Sequence, residues 1–201
     1  MTFTATVHAG LRVAALCAVL ALMSACAANG RTGQASSYLI VSSMEAASGV
    51  RPSEFSGVLA SDVVTVINTV PTQLEDFAKV TFQLAMKDPL VGPSPVNYVT
   101  LRGYRVTYFR SDGRNTHGVD VPYPFAGALT ATVSTTTTAS LVLVRVQAKL
   151  EAPLSTLAGL GGAIAISTFA DVVFYGTDQA GRNVTVNARI SVNFADWGDE
   201  E

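Results

Sequence analysis

The chain has 201 residues, of which 49% are hydrophobic and 14% charged, and its formal net charge is −2. This length fits one domain with an additional segment, and the apolar content excludes a collagen-like or disordered chain. The near-neutral balance of charge argues against a dedicated nucleic-acid-binding protein, so we expect no nucleic-acid partner.

An apolar segment near the N-terminus has the features of an export signal. Eleven uninterrupted apolar residues run from Val13 to Met23, after a stretch that has no acidic residue and ends in Arg12. They are too few for the roughly 20 residues with which a helix crosses a bilayer. They fit the hydrophobic region of a secretory signal, which is removed from the mature protein.

The next residues resemble the lipobox of bacterial lipoproteins, whose usual form is Leu-Ala/Ser-Gly/Ala-Cys. The chain reads Leu22-Met23-Ser24-Ala25-Cys26, so that Met23 stands where Leu is usual. The resemblance implies that residues 1–25 are a signal peptide, that Cys26 receives a diacylglycerol, and that its new amino group is acylated. Alternatives are an ordinary cleavage site nearby, which gives a soluble exported protein, and an uncleaved anchor.

The same resemblance implies a location. The protein would be exported and anchored to a membrane of the bacterial cell envelope through the lipid on Cys26. Ala27 follows the cysteine, whereas in this family Asp at that position favours retention in the inner membrane. The resemblance therefore implies the outer membrane.

The two cysteines, Cys17 and Cys26, leave no thiol chemistry to the mature domain. Cys17 would be removed with the signal, and the sulfur of Cys26 would become a thioether. The mature chain would then have neither a free thiol nor a disulfide. Residues 26–37 are mostly small and polar, which predicts a flexible tether after the lipidated cysteine, and residues 38–201 are expected to form one domain.

Period-2 alternation predicts that this domain is built mainly of strands. The apolar residues Val80, Phe82 and Leu84 alternate with Lys79, Thr81 and Gln83, and the same pattern covers 183–194 and 142–150. Further predicted strands are 38–46, 57–66, 127–134 and 166–175.

Another predicted strand, over 96–111, changes phase in the middle. Leu101 has one phase and Tyr104 and Tyr108 the other, so Gly103 between them indicates a bulge. Loops are predicted at 88–95, which holds three prolines, and after Ser111, while 178–181 is a hairpin turn. The run 134–138 is predicted to turn between two antiparallel strands, and only 154–162 suggests a short helix.

About eight strands with antiparallel links predict an all-β fold, a single antiparallel β-sandwich. The pattern over 38–197 resembles an immunoglobulin-like or fibronectin type III-like domain. The Cys–Trp–Cys core of antibody domains is missing, because the single Trp197 stands near the end. The alternative is an eight-stranded barrel of the lipocalin type, although the Gly-x-Trp signature of that family is absent.

The sequence offers little catalytic chemistry, and we expect no enzyme, no cofactor and no metal site. His117 is the one histidine outside the signal, and no nucleophile motif accompanies it. Asp112, Asn115 and Asp120 share a loop with it and could supply oxygen ligands to calcium, but their spacing does not match the Asp-x-Asp-x-Asp-Gly pattern. Ordinary turn residues explain them as well.

Two further segments could contact another molecule. Basic and aromatic residues alternate over 102–114, as on a stacking surface, although a strand with Tyr104 and Tyr108 inward and Arg105 in solvent explains the pattern better. The proline-stiffened loop 121–125 and the glycine-rich segment 154–166 could form a partner surface through Tyr123, Phe125 and Leu157, although packing of each segment against the sandwich explains it better.

The sequence therefore predicts a membrane-anchored envelope lipoprotein that acts as a non-catalytic structural or protein-interaction module, with another envelope protein as its partner. The alternative is a binder of a lipid, a glycan or a calcium ion.

Overall fold

A computed structural model describes residues 33–197 of the chain. Its strands are β1 (Ser37–Ala47), β2 (Val58–Asp62), β3 (Thr65–Ile67), β4 (Val70–Thr72), β5 (Asp76–Met86), β6 (Val99–Phe109), β7 (Phe125–Val133), β8 (Thr136–Val144), β9 (Ile166–Asp178) and β10 (Asn183–Ala195). The other regular elements are a five-residue helix, α1 (Val146–Leu150), and two 3-10 turns at Pro95–Asn97 and Leu154–Leu157.

The strands form two sheets and a small hairpin. One sheet has the order β1-β5-β8, the other has the order β2-β10-β9-β6-β7, and β3 pairs with β4. All pairs are antiparallel except β2, which runs parallel to β10. The predicted all-β sandwich of about eight strands is therefore confirmed, and the described strands do not close into a barrel of the lipocalin type.

The chain changes sheet soon after its first strand. Strand β2 follows β1 in sequence but belongs to the five-stranded sheet, where it is the edge strand beside β10. Strand β7, beside β6, forms the opposite edge of that sheet.

An aromatic cluster packs between the two sheets of the sandwich. Phe82 on β5 meets Phe174 on β9 edge to face, with 4.9 Å between ring centroids. The ring centroid of Tyr104, on β6, lies 6.3 Å from that of Phe174. All three rings are buried, so apolar burial and ring packing join the two sheets without a covalent link.

Two tyrosine hydroxyls add polar links between the sheets. The Tyr104 hydroxyl donates to the Val142 carbonyl oxygen at 3.0 Å, and the Tyr108 hydroxyl donates to the Leu143 carbonyl oxygen at 2.5 Å. Complete burial raises the pKa of the Tyr108 phenol, so the hydroxyl stays protonated and donates. Both tyrosines are on β6 and both acceptors are on β8, so the hydrogen bonds fix the position of one sheet over the other.

Several local predictions are confirmed. Strand β10 buries Val184, Ile190 and Phe194 while Arg189 is exposed, as alternation requires. Strand β6 shifts register between Leu101 and Gly103 against both of its neighbours. The turn at 178–181 joins β9 to β10 as a hairpin.

The predicted strand over 142–150 is wrong beyond Val144. Strand β8 ends there, and the next residues form α1. Within β8 the buried side chains are Leu141, Leu143 and Val144, while Val142 is half-buried, so the inward phase is opposite to the predicted one as far as Leu143. The helix carries Lys149 into the core, whereas an extended strand of the predicted phase would leave that side chain in solvent.

Three smaller predictions also need correction. The strand predicted over 57–66 is divided into β2 and β3, because the chain leaves the sheet after Asp62. The turn predicted over 134–138 has only two residues, and it joins strands of different sheets. The helix predicted over 154–162 is reduced to one 3-10 turn, since Gly159, Gly161 and Gly162 all have positive φ.

Candidate functional site

Strand direction divides the loops into two opposite poles. Strand β1 begins at Ser37, which pairs with Met86, and ends at Ala47, which pairs with Phe77. We call the end where β1 begins the tether pole; it comprises 33–36, 87–98, 134–135 and 179–182. The opposite end, the far pole, comprises 48–57, 63–75, 110–124, 145–165 and 196–197.

A buried ion pair supports the far pole. The Lys149 ammonium donates to Asp76 Oδ1 at 3.0 Å, and the side chains are 1% and 0% exposed. Asp76 also accepts from the Ser61 hydroxyl at 2.5 Å and from the Gly49 backbone N–H at 2.9 Å. Burial raises the pKa of the Asp76 carboxyl, while Lys149 acts in the opposite direction.

The partners of Asp76 come from three different segments of the far pole. Gly49 belongs to the loop after β1, Ser61 to β2 and Lys149 to α1. One carboxylate therefore joins these three segments through its hydrogen bonds to Gly49, Ser61 and Lys149. We interpret the pair as a structural clamp beneath the surface of the pole.

An open groove is lined by residues that flank two partners of Asp76, Gly49 and Ser61. It has a volume of about 420 Å³ and runs between the loop 48–57 and β2, the outer strand of its sheet. Phe55, Val58 and Trp197 form part of its apolar lining. Arg51 and Glu54 lie at the same groove with 3.8 Å between their charged groups.

Trp197 is held in the groove by hydrogen bonds to β2. Its backbone N–H donates to Asp62 Oδ1 at 3.0 Å, and its indole N–H donates to the Ser61 carbonyl oxygen at 3.2 Å. A second hollow of about 590 Å³ lies on the other side of the same loop, against the β3–β4 hairpin. The hydrogen bonds of Trp197 therefore hold one wall of the groove against β2.

The far pole also exposes apolar side chains outside the two depressions. Val119 is 67% exposed and Ile164 is 55% exposed. Others at the far pole are Val50, Val66, Ile67, Val70, Tyr123, Leu150 and Leu160, of which Val50, Val66 and Ile67 line a depression. Isolated exposed apolar residues are normal on proteins, but several of them at one end of a domain favour an interaction surface there.

The structure separates the three residues predicted to form a partner surface. Tyr123 is 53% exposed at the far pole, whereas Phe125 and Leu157 are buried at 6% and 3%. Phe125 opens β7 and packs against Tyr104, and the Arg145 guanidinium lies 4.4 Å from the centre of its ring. The prediction that Phe125 and Leu157 are presented to a partner is therefore wrong, because both side chains belong to the core.

The loop around His117 does not have the geometry of a calcium site. Asp112 binds the guanidinium groups of Arg110 and Arg114, at 2.6 and 3.0 Å, and the hydrogen bond from Arg110 lowers the pKa of the Asp112 carboxyl. Asn115 Oδ1 accepts a hydrogen bond from the Arg110 backbone N–H. Across residues 33–197 no group of three His, Cys, Asp or Glu side chains is placed to hold a metal ion.

Asp120, the third predicted ligand of that loop, is also engaged. Its carboxylate accepts the Thr116 backbone N–H at 3.1 Å, and His117 itself is exposed and pairs only through its backbone, with Val121. These contacts are those of a self-contained loop at the far pole, as ordinary turn residues form them.

The basic and aromatic residues of 102–114 divide between the core and an outer face. Tyr104 and Tyr108 point inward and Arg105 is exposed. On the outer face, Phe109 stacks on Phe169 with 5.5 Å between ring centroids. The Arg189 guanidinium lies over Phe109 and binds Asp171, so its charge is already compensated. This distribution favours the interpretation as a strand with one wet face.

Cys26, the predicted site of lipid attachment, lies outside the described residues. None of the helices within 33–197 has both the length and the apolar character of a membrane-spanning segment. Comparisons with protein-family models, with curated proteins and with solved structures found no match.

Proposed function

We propose that this chain is a lipid-anchored, non-catalytic domain of the bacterial cell envelope that holds a partner protein at its far pole. The observation that carries the proposal is the opposition of the two ends. The chain from Cys26 enters the sandwich at the tether pole, whereas the groove and a set of exposed apolar residues lie at the far pole.

The mechanism is positional. Two or more acyl chains hold a protein on a membrane stably where one does not. Confinement then raises the effective concentration of the far pole for a partner in the same envelope, so a weak contact becomes sufficient. The open groove beside β2 suits an extended segment of such a partner, because an outer strand offers backbone groups for pairing.

The anchor is tested by replacing Cys26 with alanine. We expect Cys26→Ala to abolish palmitate labelling and to move the protein from the membrane fraction to the soluble exported fraction, because no thioether can form. Labelling and fractionation of the two proteins at equal expression give the measurement. Unchanged retention in the membrane fraction would refute lipidation as the anchor.

The partner surface is tested by placing a photoreactive phenylalanine analogue at matched tyrosines. Tyr123, at the far pole, is 53% exposed, and Tyr175, on the outer face of the five-stranded sheet, is 41% exposed. We expect Tyr123 substituted in this way to crosslink to one envelope protein in living cells, and Tyr175 not to do so, because only the former borders the far-pole surface.

The same crosslinking measurement can contradict the proposal. The product at Tyr123 should weaken when Cys26→Ala is combined with it, since confinement is lost. Equal products at the two tyrosines, or a product at Tyr175 alone, would place the contact elsewhere on the domain.

A further inference from the structure

The loop 87–98 exposes apolar side chains at the tether pole. Leu90 is 93% exposed, Val91 50% and Val96 56%. Pro89, Pro93 and Pro95 restrict the backbone of this loop. The apolar residues therefore project from a stiff support, and no described segment of the chain covers them.

Both ends of the loop are bound to the segment through which the chain enters the sandwich. The Lys87 backbone N–H donates to the Ser36 carbonyl oxygen at 3.0 Å, and the Lys87 ammonium donates to the Gly33 carbonyl oxygen. At the other end, the Asn97 amide donates to Ser36 Oγ at 2.7 Å and the Ser37 hydroxyl donates to the Asn97 carbonyl oxygen at 2.7 Å.

These bonds also change the limit of the predicted tether. Ala35 is 3% exposed and Ser37 is 1% exposed, so the last residues of the predicted spacer pack against the sandwich. Strand β1 begins at Ser37, one residue before the predicted start of the domain. The free length that remains before the domain is short.

Covalent geometry limits how far the loop can lie from the lipid. Cys26 precedes Gly33 by seven residues, and a chain spans at most about 3.5 Å per residue, or about 25 Å in total. The proposed lipid on Cys26 therefore keeps the tether pole within about 25 Å of the bilayer surface. The exposed large apolar side chains that the described residues place at this pole are Leu90, Val91 and Val96.

Charge around the loop is balanced, so it offers no strong electrostatic attraction. The Arg182 side chain binds Asp178 at 2.7 Å. Asp88 accepts the Leu90 backbone N–H at 3.0 Å and stands next to Lys87 in sequence. A contact made here would depend on apolar side chains and would change little with salt.

We propose that Leu90, Val91 and Val96 enter the interface of the lipid bilayer that holds the Cys26 lipid. This inference rests on the proposed lipid anchor. The loop is a second, weaker contact, and because it is bound to the point of entry it orients the domain on the membrane. The far pole is thereby turned away from the lipid and toward the partner.

Two glycines allow a matched test with a fluorophore. A Cβ added at Gly92, in the loop, or at Gly57, between β1 and β2, meets no atom within 4 Å, and neither residue has positive φ. Gly92→Cys and Gly57→Cys each introduce one reactive thiol into the mature lipidated protein, because Cys17 is removed and Cys26 is a thioether. Both are labelled with an environment-sensitive fluorophore.

The labelled proteins are placed on vesicles of phosphatidylethanolamine and phosphatidylglycerol, with and without brominated acyl chains as quencher. Interfacial apolar groups lie about 5–10 Å below the headgroup boundary, so we expect the quencher to reduce emission about twofold at Gly92→Cys and little at Gly57→Cys. Adding Leu90→Ser and Val91→Ser to Gly92→Cys should remove the quenching, while circular dichroism shows that the fold remains.

The outcomes distinguish this inference from the proposed anchor. Equal quenching at the two positions, in protein whose mass shows the lipid and which floats with the vesicles, would overturn the membrane contact and leave the anchor intact. Protein without the lipid mass would overturn both. Quenching that disappears in high salt would also contradict an apolar contact.

Discussion

Replacing Lys149 with methionine is expected to lower the free energy of unfolding by about 3–5 kcal/mol, because the change leaves the Asp76 carboxylate buried without its partner. Both side chains are fully buried, and Lys149 Nζ lies 3.0 Å from Asp76 Oδ1. Chemical denaturation of Lys149→Met and of the unaltered protein gives the measurement. The matched control is Lys79→Met on β5, whose exposed ammonium lies over the Phe55 ring; it should change stability by less than about 1 kcal/mol.

The loss of unfolding free energy caused by Lys149→Met should increase as the pH rises. Burial raises the pKa of Asp76 above the 3.8 of an unperturbed aspartate. Without Lys149 the folded protein then binds a proton more tightly than the unfolded chain does, so stability falls as the pH rises above 3.8. The deficit should therefore be smallest near that pH and should grow toward neutrality.

A double variant separates buried charge from lost packing. Asp76→Asn removes the charge and keeps one oxygen that can accept from the Gly49 N–H, while the amide nitrogen in place of Oδ2 can donate to the Ser61 hydroxyl oxygen. When combined with Lys149→Met it should recover much of the lost stability. A deficit in Lys149→Met that is independent of pH and is not relieved by Asp76→Asn would contradict the clamp.

Replacing Phe174 with alanine is expected to cost about 3–5 kcal/mol of unfolding free energy, since it removes a buried ring and leaves a cavity. Phe174 contacts both Phe82 and Tyr104, so the loss falls on the aromatic contact between the two sheets. Urea denaturation monitored by circular dichroism measures the loss.

The same strand provides the control for Phe174→Ala. Phe169 is also on β9 but faces outward, where it stacks on Phe109. Phe169→Ala should cost about 1 kcal/mol. If the two variants lost equal stability, the aromatic cluster would not be the centre of the core.

Much of the fold follows from alternation in the sequence, because an antiparallel sandwich with one wet face per sheet imposes period 2 on its strands. The same alternation also indicates that Asp76 points inward, which the predictions from sequence did not include. Asp76 is in phase with Ala78, Val80, Phe82 and Leu84, all of which are buried. That phase marks Asp76 as an inward carboxylate, although the residue stands next to Glu75 and resembles the start of a turn.

A similar signal applies to Phe125, which is in phase with Leu129 and Val133 on β7. Extending the predicted strand by two residues would have assigned Phe125 to the core. The burial of Lys149 and Leu157 had no such signal, because it depends on the path of 145–165 across the end of the sandwich. The groove also could not be predicted, since it arises where β2 crosses from one sheet to the other.

The position of β2 explains why the two poles differ. By crossing between sheets, the chain leaves the loop 48–57 beside an outer strand and opens the groove. The tether pole is instead closed by hydrogen bonds between Ser36, Lys87 and Asn97. The same sandwich thus has one end suited to attachment and one end suited to binding.

The central claim is that the mature chain begins at Cys26 and carries lipid there. Mass spectrometry of the N-terminal peptide, from protein extracted from membranes, tests it most directly. The account predicts a peptide that starts at Cys26 and bears a diacylglycerol on sulfur and an acyl chain on the amino group. A membrane-extracted protein whose first residue lies elsewhere, or whose Cys26 is unmodified, would contradict it.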